Sequence, residues 1–276
     1  MSERKVWPIV VIAGGLAFLY LPLFVIAGLS FSDRGVALFP VEGLTLDWYR
    51  VLVSDERFLA TSLTSIQVAA LSTLIGLVYG TTAAVGLSRA RSRLTRFAGG
   101  LYMAPVLVPN IVLGVAVAIG FSASGIRLSV WTATIGHSLL TGPLIYLLVS
   151  ARLRGFDWSV VEAARVLGAR PVTAFVRVTM PLLLPAIVGG ALLSFALSLD
   201  NFILSFFLVG TDSTLPLLMW SMMRDGFSPA LNAMATVLLG AALLLGVSGE
   251  RLGRAEPTAK STKTVPVEEP QEASPQ

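Results

Sequence analysis

The chain has 276 residues, of which 55% are hydrophobic and 13% charged, with a mean hydropathy of +0.80. Soluble domains carry roughly 25% charged residues, so an ordinary water-soluble fold is excluded and a bilayer is the implied solvent. The absence of cysteine removes disulfide frameworks, thiolate metal sites and cysteine nucleophiles, while the net charge of +4 has to be sorted by membrane side before it suggests any nucleic acid.

Crossing about 30 Å of hydrocarbon takes roughly 20 helical residues. Six apolar segments answer to this pattern, at residues 6–29, 59–87, 101–121, 130–150, 182–209 and 233–247. They predict an all-α, polytopic membrane protein with six transmembrane helices and both termini on one side. The first segment follows Arg4 and Lys5 and ends in small residues, as a signal peptide does. Its length and the five later spans favour a retained helix.

With the N-terminus in the cytoplasm, Lys and Arg divide as 15 inside and 5 outside, whereas the acids divide as 8 and 7 with Asp200 inside a span. That asymmetry is what the positive-inside rule requires. It predicts cytoplasmic termini and accounts for the basic charge without nucleic acid.

Between the first two spans, Leu44, Leu46, Trp48, Tyr49 and Leu52 have the spacing of a short interfacial amphipathic helix, or of a simple aromatic anchor. In the second span Ser72, Gly76 and Gly80 recur every four residues, a face that lets helices pack closely. Pro105, Pro109 and Asn110 in the third span, and Pro143 in the fourth, are positions where a helix breaks near a pathway or bends for packing. His137, the sole histidine, has no Asp, Glu or Cys at ligand spacing, so no metal site is expected. Hydrogen bonding to a neighbouring helix through Ser, Thr or carbonyl groups is its expected role, with proton relay or pore lining as the alternative.

The longest inside loop, residues 151–180, is amphipathic. Ser159 reads as an N-cap with Glu162 closing a capping box, Gly168 as a helix stop, and Pro171 as the first residue of a second helix. Glu162, Ala163 and Ala164, then Gly168, then Val178, Thr179, Met180 and Pro181 stand at spacings that resemble the EAA motif of ABC importer permeases, Glu-Ala-Ala-x3-Gly-x9-Ile-x-Leu-Pro. Val178 and Met180 are the two departures, both apolar for apolar. The resemblance extends over most of residues 6–250, and the stretches 198–210 and 214–239 look like the spermidine/putrescine permease branch, in particular its second permease subunit.

This resemblance implies a type I ABC importer permease architecture in the bacterial inner membrane. It implies that Glu162, Ala163, Ala164, Gly168 and Pro181 belong to a coupling element seated on a separate ATPase, which binds the ATP and Mg. The implied partners are a homologous permease in a heterodimer, two ATPase subunits and a periplasmic or lipid-anchored solute-binding protein. Asp200 lies about 7 Å past the midpoint of the fifth span, where a carboxylate faces either a solute pathway or a partner charge. The branch commonly shows two adjacent acids where this chain has Asp200 and Asn201, so one cation partner is missing from the expected pathway pair.

No phosphate-loop, His-Glu-x-x-His or Gly-x-Ser-x-Gly pattern occurs, and the chain reads as a non-enzymatic subunit without a cofactor. An importer for another small solute, such as an amino-acid derivative or phosphonate, is the alternative. An ion-coupled secondary transporter would show inverted repeats, which are not seen, and a membrane scaffold built on the 151–180 loop is the third reading. Residues 1–253 form the permease domain on this reading. The Pro-, Glu-, Lys- and Ser-rich tail, 254–276, cannot bury enough apolar area to offset chain entropy and is expected to be disordered.

Overall fold

The computed structural model describes residues 3–34, 43–88, 92–226 and 228–254. The predicted tail beyond Arg254, and Arg89 and Arg91 of the charge count, lie outside the described residues. In chain order the elements are α1 (Glu3–Leu29), α2 (Asp47–Ser54), α3 (Glu56–Ser88), α4 (Arg93–Leu107), α5 (Asn110–Ala123) and α6 (Val130–Arg154). Then come α7 (Ser159–Val166), α8 (Pro171–Ala174), a π-helical turn (Phe175–Thr179), α9 (Met180–Leu199), α10 (Phe202–Leu208), α11 (Leu215–Asp225) and α12 (Pro229–Arg254). Among the described residues the only extended pairing is an isolated bridge between Ser32 and Leu44.

Five helical stretches are long and apolar enough to cross a bilayer: Val10–Leu29, Glu56–Ser88, Val130–Arg154, Pro171–Leu199 and Pro229–Ser248. The expected third span is not one helix. Its residues belong to α4 and α5, which are bent by 100° and make a sixth crossing only as a broken pair. Pro109 is the cause: it lacks an N–H to continue the helix and drives Val108 into extended backbone, with φ −83° and ψ 132°.

The expected fifth span, 182–209, is also interrupted. α9 stops at Leu199, and α10 starts at Phe202. Asn201 leaves the helical region (ψ 90°), and its side chain accepts the Leu204 N–H at 3.0 Å, so it caps a new helix instead of extending the old one. Asp200 therefore sits at the C-terminal cap of α9 and not within a continuous helix.

The core follows α3 from end to end. Phe58 packs with Leu52, Leu215, Ala233 and Met234; Val68 with Ala133, Leu204, Leu208 and Val209; Ala84 with Ile145, Val149, Leu153 and Leu183. The small-residue face of α3 lies on α6 as expected: a Cβ on Gly76 would stand 2.6 Å from Thr141 Oγ1 and 2.9 Å from the Gly142 nitrogen. α2 forms as expected and is packed down. Trp48 Nε1 donates to the Ser32 carbonyl at 2.7 Å, the Tyr49 hydroxyl is 2.6 Å from Ser30 Oγ, and Leu52 is buried.

Candidate functional site

Two regions concentrate polar or exposed features that packing alone does not explain. The first is the segment after α6. Phe156 and Trp158, with ring centroids 4.7 Å apart, pack on the buried cluster of Ala84, Ile145 and Leu153 and so anchor the entry to α7. Val161 is buried on the inner face of α7, while Glu162 and Ala163 are exposed and Ala164 is half-buried on the other side. Val166 and Leu167 are 86% and 87% exposed, an apolar surface left uncovered by the described residues.

The expected capping box does not form. Trp158 holds the N-cap position in helical backbone and its carbonyl accepts the Val161 and Glu162 N–H groups at 3.1 Å, which leaves Ser159 inside the first turn with its own N–H donated to Asp157 Oδ1 at 2.9 Å. Hydrogen bonds from Ser159, side chain first and backbone second, hold the Asp157 carboxyl below the usual carboxylate range. Glu162, released from capping, makes no hydrogen bond or ion pair with any described residue.

Gly168 does end α7 as expected. The Ala169 N–H bonds to the Ala164 carbonyl and the Gly168 N–H to the Arg165 carbonyl, each at 3.0 Å, with Gly168 at φ +92°. This is a Schellman closure. A Cβ on Gly168 would meet nothing within 4 Å, so the backbone conformation, not internal crowding, calls for glycine. Pro171 opens α8, and the π-helical turn follows, closed by the Met180 N–H to Phe175 carbonyl bond. Pro181 explains the wider turn, because in an α register its ring would crowd the Arg177 carbonyl.

The second region is a polar belt within the bundle. His137 on α6 is 1% exposed and lies between Ser198 of α9 and Ser205 of α10. Ser198 reaches Ser72 of α3 at 3.0 Å, Thr141 donates to the Ser72 carbonyl at 2.8 Å, and Ser194 donates to the Thr141 carbonyl at 3.3 Å. Beside them is a cavity of about 140 Å³, lined by Asn110, His137, Thr141, Ser194, Ser198 and Asn201 with Leu140, Leu144 and Leu197. Asn110 is the first residue after the α4/α5 bend, and Asn201 lies in the α9/α10 break. Both interruptions thus open onto one cavity, the setting in which irregular backbone is tolerated at membrane depth.

Of the expected pathway pair, Asn201 lines this cavity and Asp200 does not; Asp200 is exposed and has no partner among the described residues. His137 makes the expected contacts to serines on neighbouring helices, and among the described residues no group of three or more His, Cys, Asp or Glu could hold a metal. Hydropathy and motif spacing do not single out Ser194, Ser198 and Ser205. Their spacings of four and seven put them on one helical face, and that is the signal the sequence holds for them.

Residues 72–255 match the family described as binding-protein-dependent transport system inner membrane component. Spermidine/putrescine transport system permease protein PotC of Escherichia coli (strain K12) is 32% identical over 239 residues, covering 86% of this chain and 90% of PotC. Putrescine transport system permease protein PotI of the same strain is 34% identical over 266 residues, covering 92% and 93%. A bacterial ABC transporter involved in import of the acidic polysaccharide alginate superposes with a TM-score of 0.68 at 16% identity, covering 93% of this chain and 99% of that one. The chain belongs to the binding-protein-dependent transport inner membrane component family and is a permease subunit of an ABC-type importer.

Proposed function

We propose that this permease carries a small cationic solute of the polyamine class inward, and that residues 159–181 seat a separate ATPase that supplies the energy. The meeting of the two helix breaks at one polar cavity carries the pathway reading. Asp200 stands next to the cavity-lining Asn201 with no partner among the described residues, where a second permease would enclose it and its charge would attract a cation. Resemblance to PotC and PotI over most of the chain supports the solute class.

The docking reading rests on the outer face of α7. Glu162, freed from capping, is available to a basic group on the ATPase; Ala163 and Ala164 allow close approach, and Val166 and Leu167 offer apolar area to bury. Gly168 sets the bend, and Pro181 fixes the π-helical turn that joins the loop to α9. The functional unit is then two homologous permeases, two ATPase subunits that bind ATP and Mg, and a periplasmic or lipid-anchored solute-binding protein. The permease itself is non-catalytic, and its termini and the 151–180 loop face the cytoplasm.

Asp200→Asn tests the pathway: in an intact reconstituted assembly, putrescine uptake falls by about tenfold or more, equivalent to roughly 1.4 kcal/mol of barrier. Unchanged uptake contradicts a pathway role for the carboxylate.

A further inference from the structure

The His137 imidazole straddles the break between α9 and α10. Nδ1 lies 2.8 Å from Ser198 Oγ in the last turn of α9, and Nε2 lies 3.3 Å from Ser205 Oγ in α10. The ring itself belongs to a third helix, α6. One side chain therefore holds both sides of an interruption that no backbone hydrogen-bond ladder spans.

Serine hydroxyls, which both donate and accept, flank the two ring nitrogens. The Ser72 hydroxyl faces the Ala69 carbonyl at 3.2 Å and Ser198 Oγ at 3.0 Å, and either serine can donate in the second contact. Ser198 Oγ in turn meets His137 Nδ1, as donor or as acceptor according to the tautomer. A neutral imidazole donates at one ring nitrogen and accepts at the other, and a serine hydroxyl serves either role at each. The Ser205 hydroxyl has a second acceptor, the Asn201 carbonyl at 2.9 Å. Where Nε2 carries the proton, Ser205 accepts from His137 while donating to that carbonyl, and α10 is tied both to the ring and to the break.

We propose that His137 is a positioning residue: its imidazole, through Ser198 and Ser205, fixes the angle between α9 and α10 and thereby sets where Asp200 and Asn201 stand. The proposal rests on the pathway reading of Asp200, and its test separates the two. The histidine works through the break and exchanges no charge with the solute.

The chain has no cysteine, so Leu193→Cys on α9 and Phe206→Cys on α10 allow spin-label distances to be measured across the break in the assembled, membrane-reconstituted importer. The parent gives one narrow distance distribution. His137→Ala and Ser205→Ala broaden or shift it, and His137→Gln, whose amide offers one acceptor and a donor, restores it. In unlabelled protein His137→Ala raises the KM for putrescine about three- to tenfold, as expected for a lost hydrogen bond, but adds nothing in an Asp200→Asn background.

Unchanged distances in assembled His137→Ala or Ser205→Ala overturn the clamp, and fully additive KM effects overturn its action through Asp200. Broadened distances with an Asp200→Asn variant that transports normally support the clamp and overturn the pathway reading. Should His137→Ala fail to assemble, Ser205→Ala, which removes one hydroxyl, decides by the same two measurements.

Discussion

Gly80 of α3 and Gly142 of α6 are in backbone contact: a Cβ on Gly80 would stand 2.6 Å from the Gly142 carbonyl oxygen and 3.2 Å from Ile145 Cβ. The approach continues one turn away at Gly76 and Thr141, so the α3/α6 seam depends on missing side chains. It holds the two helices that carry Ser72 and His137 at hydrogen-bonding distance from α9.

Gly80→Ala is expected to destabilise by about 1–3 kcal/mol, since rigid backbone must move to admit the methyl group. Gly86→Ala, on the same helix with nothing within 4 Å of its Cβ, is expected to be neutral or to stabilise by about 0.5–1 kcal/mol. Thermal unfolding of both variants in one detergent checks this. Equal melting midpoints would show that the seam tolerates side chains.

Gly168 has open space around it and a positive φ, so replacements there act through the backbone. A left-handed residue other than glycine costs about 1–2 kcal/mol, least for Asn. ATPase stimulation and solute uptake are expected to fall together in Gly168→Asp and less in Gly168→Asn, with the assembly retained. Normal transport by an assembled Gly168→Asp variant would remove the coupling role from this bend.

Asn201 has two duties that substitution separates. Asn201→Ala loses the cap on Leu204 N–H, at an expected cost of about 0.5–2 kcal/mol in stability. Asn201→Asp keeps a capping oxygen and adds a second acid beside Asp200, so a lower KM for putrescine is expected at unchanged stability. Uptake kinetics and melting curves on the same preparations test both halves, and a raised KM in Asn201→Asp would contradict a cation pathway there.

Hydropathy and turn chemistry are local, which is why the apolar segments, the two loop helices, the stop at Gly168 and the start at Pro171 are legible in the amino-acid sequence. The breaks are not. The apolar run from 182 to 209 barely dips at Asp200 and Asn201, and a hydropathy window does not register that Asn201 prefers to cap a helix rather than continue one. Ser159 does not take the cap its spacing predicts because the helix starts one residue earlier: the Trp158 carbonyl accepts the Val161 and Glu162 N–H groups, and Asp157 accepts the N–H of Ser159 itself. The polar belt stays hidden because single serines barely alter an apolar average. Its members His137 and Ser72 lie 61 and 126 residues from Ser198 along the chain, beyond the reach of any local pattern.

ATP-dependent solute uptake into proteoliposomes is the decisive measurement. Vesicles holding this chain with a homologous permease and the ATPase, supplied with solute-loaded binding protein, should accumulate putrescine or spermidine only when ATP reaches the ATPase, and omission of any one component should abolish uptake. Accumulation by this chain alone, driven by an ion gradient without ATP or binding protein, would contradict the assignment.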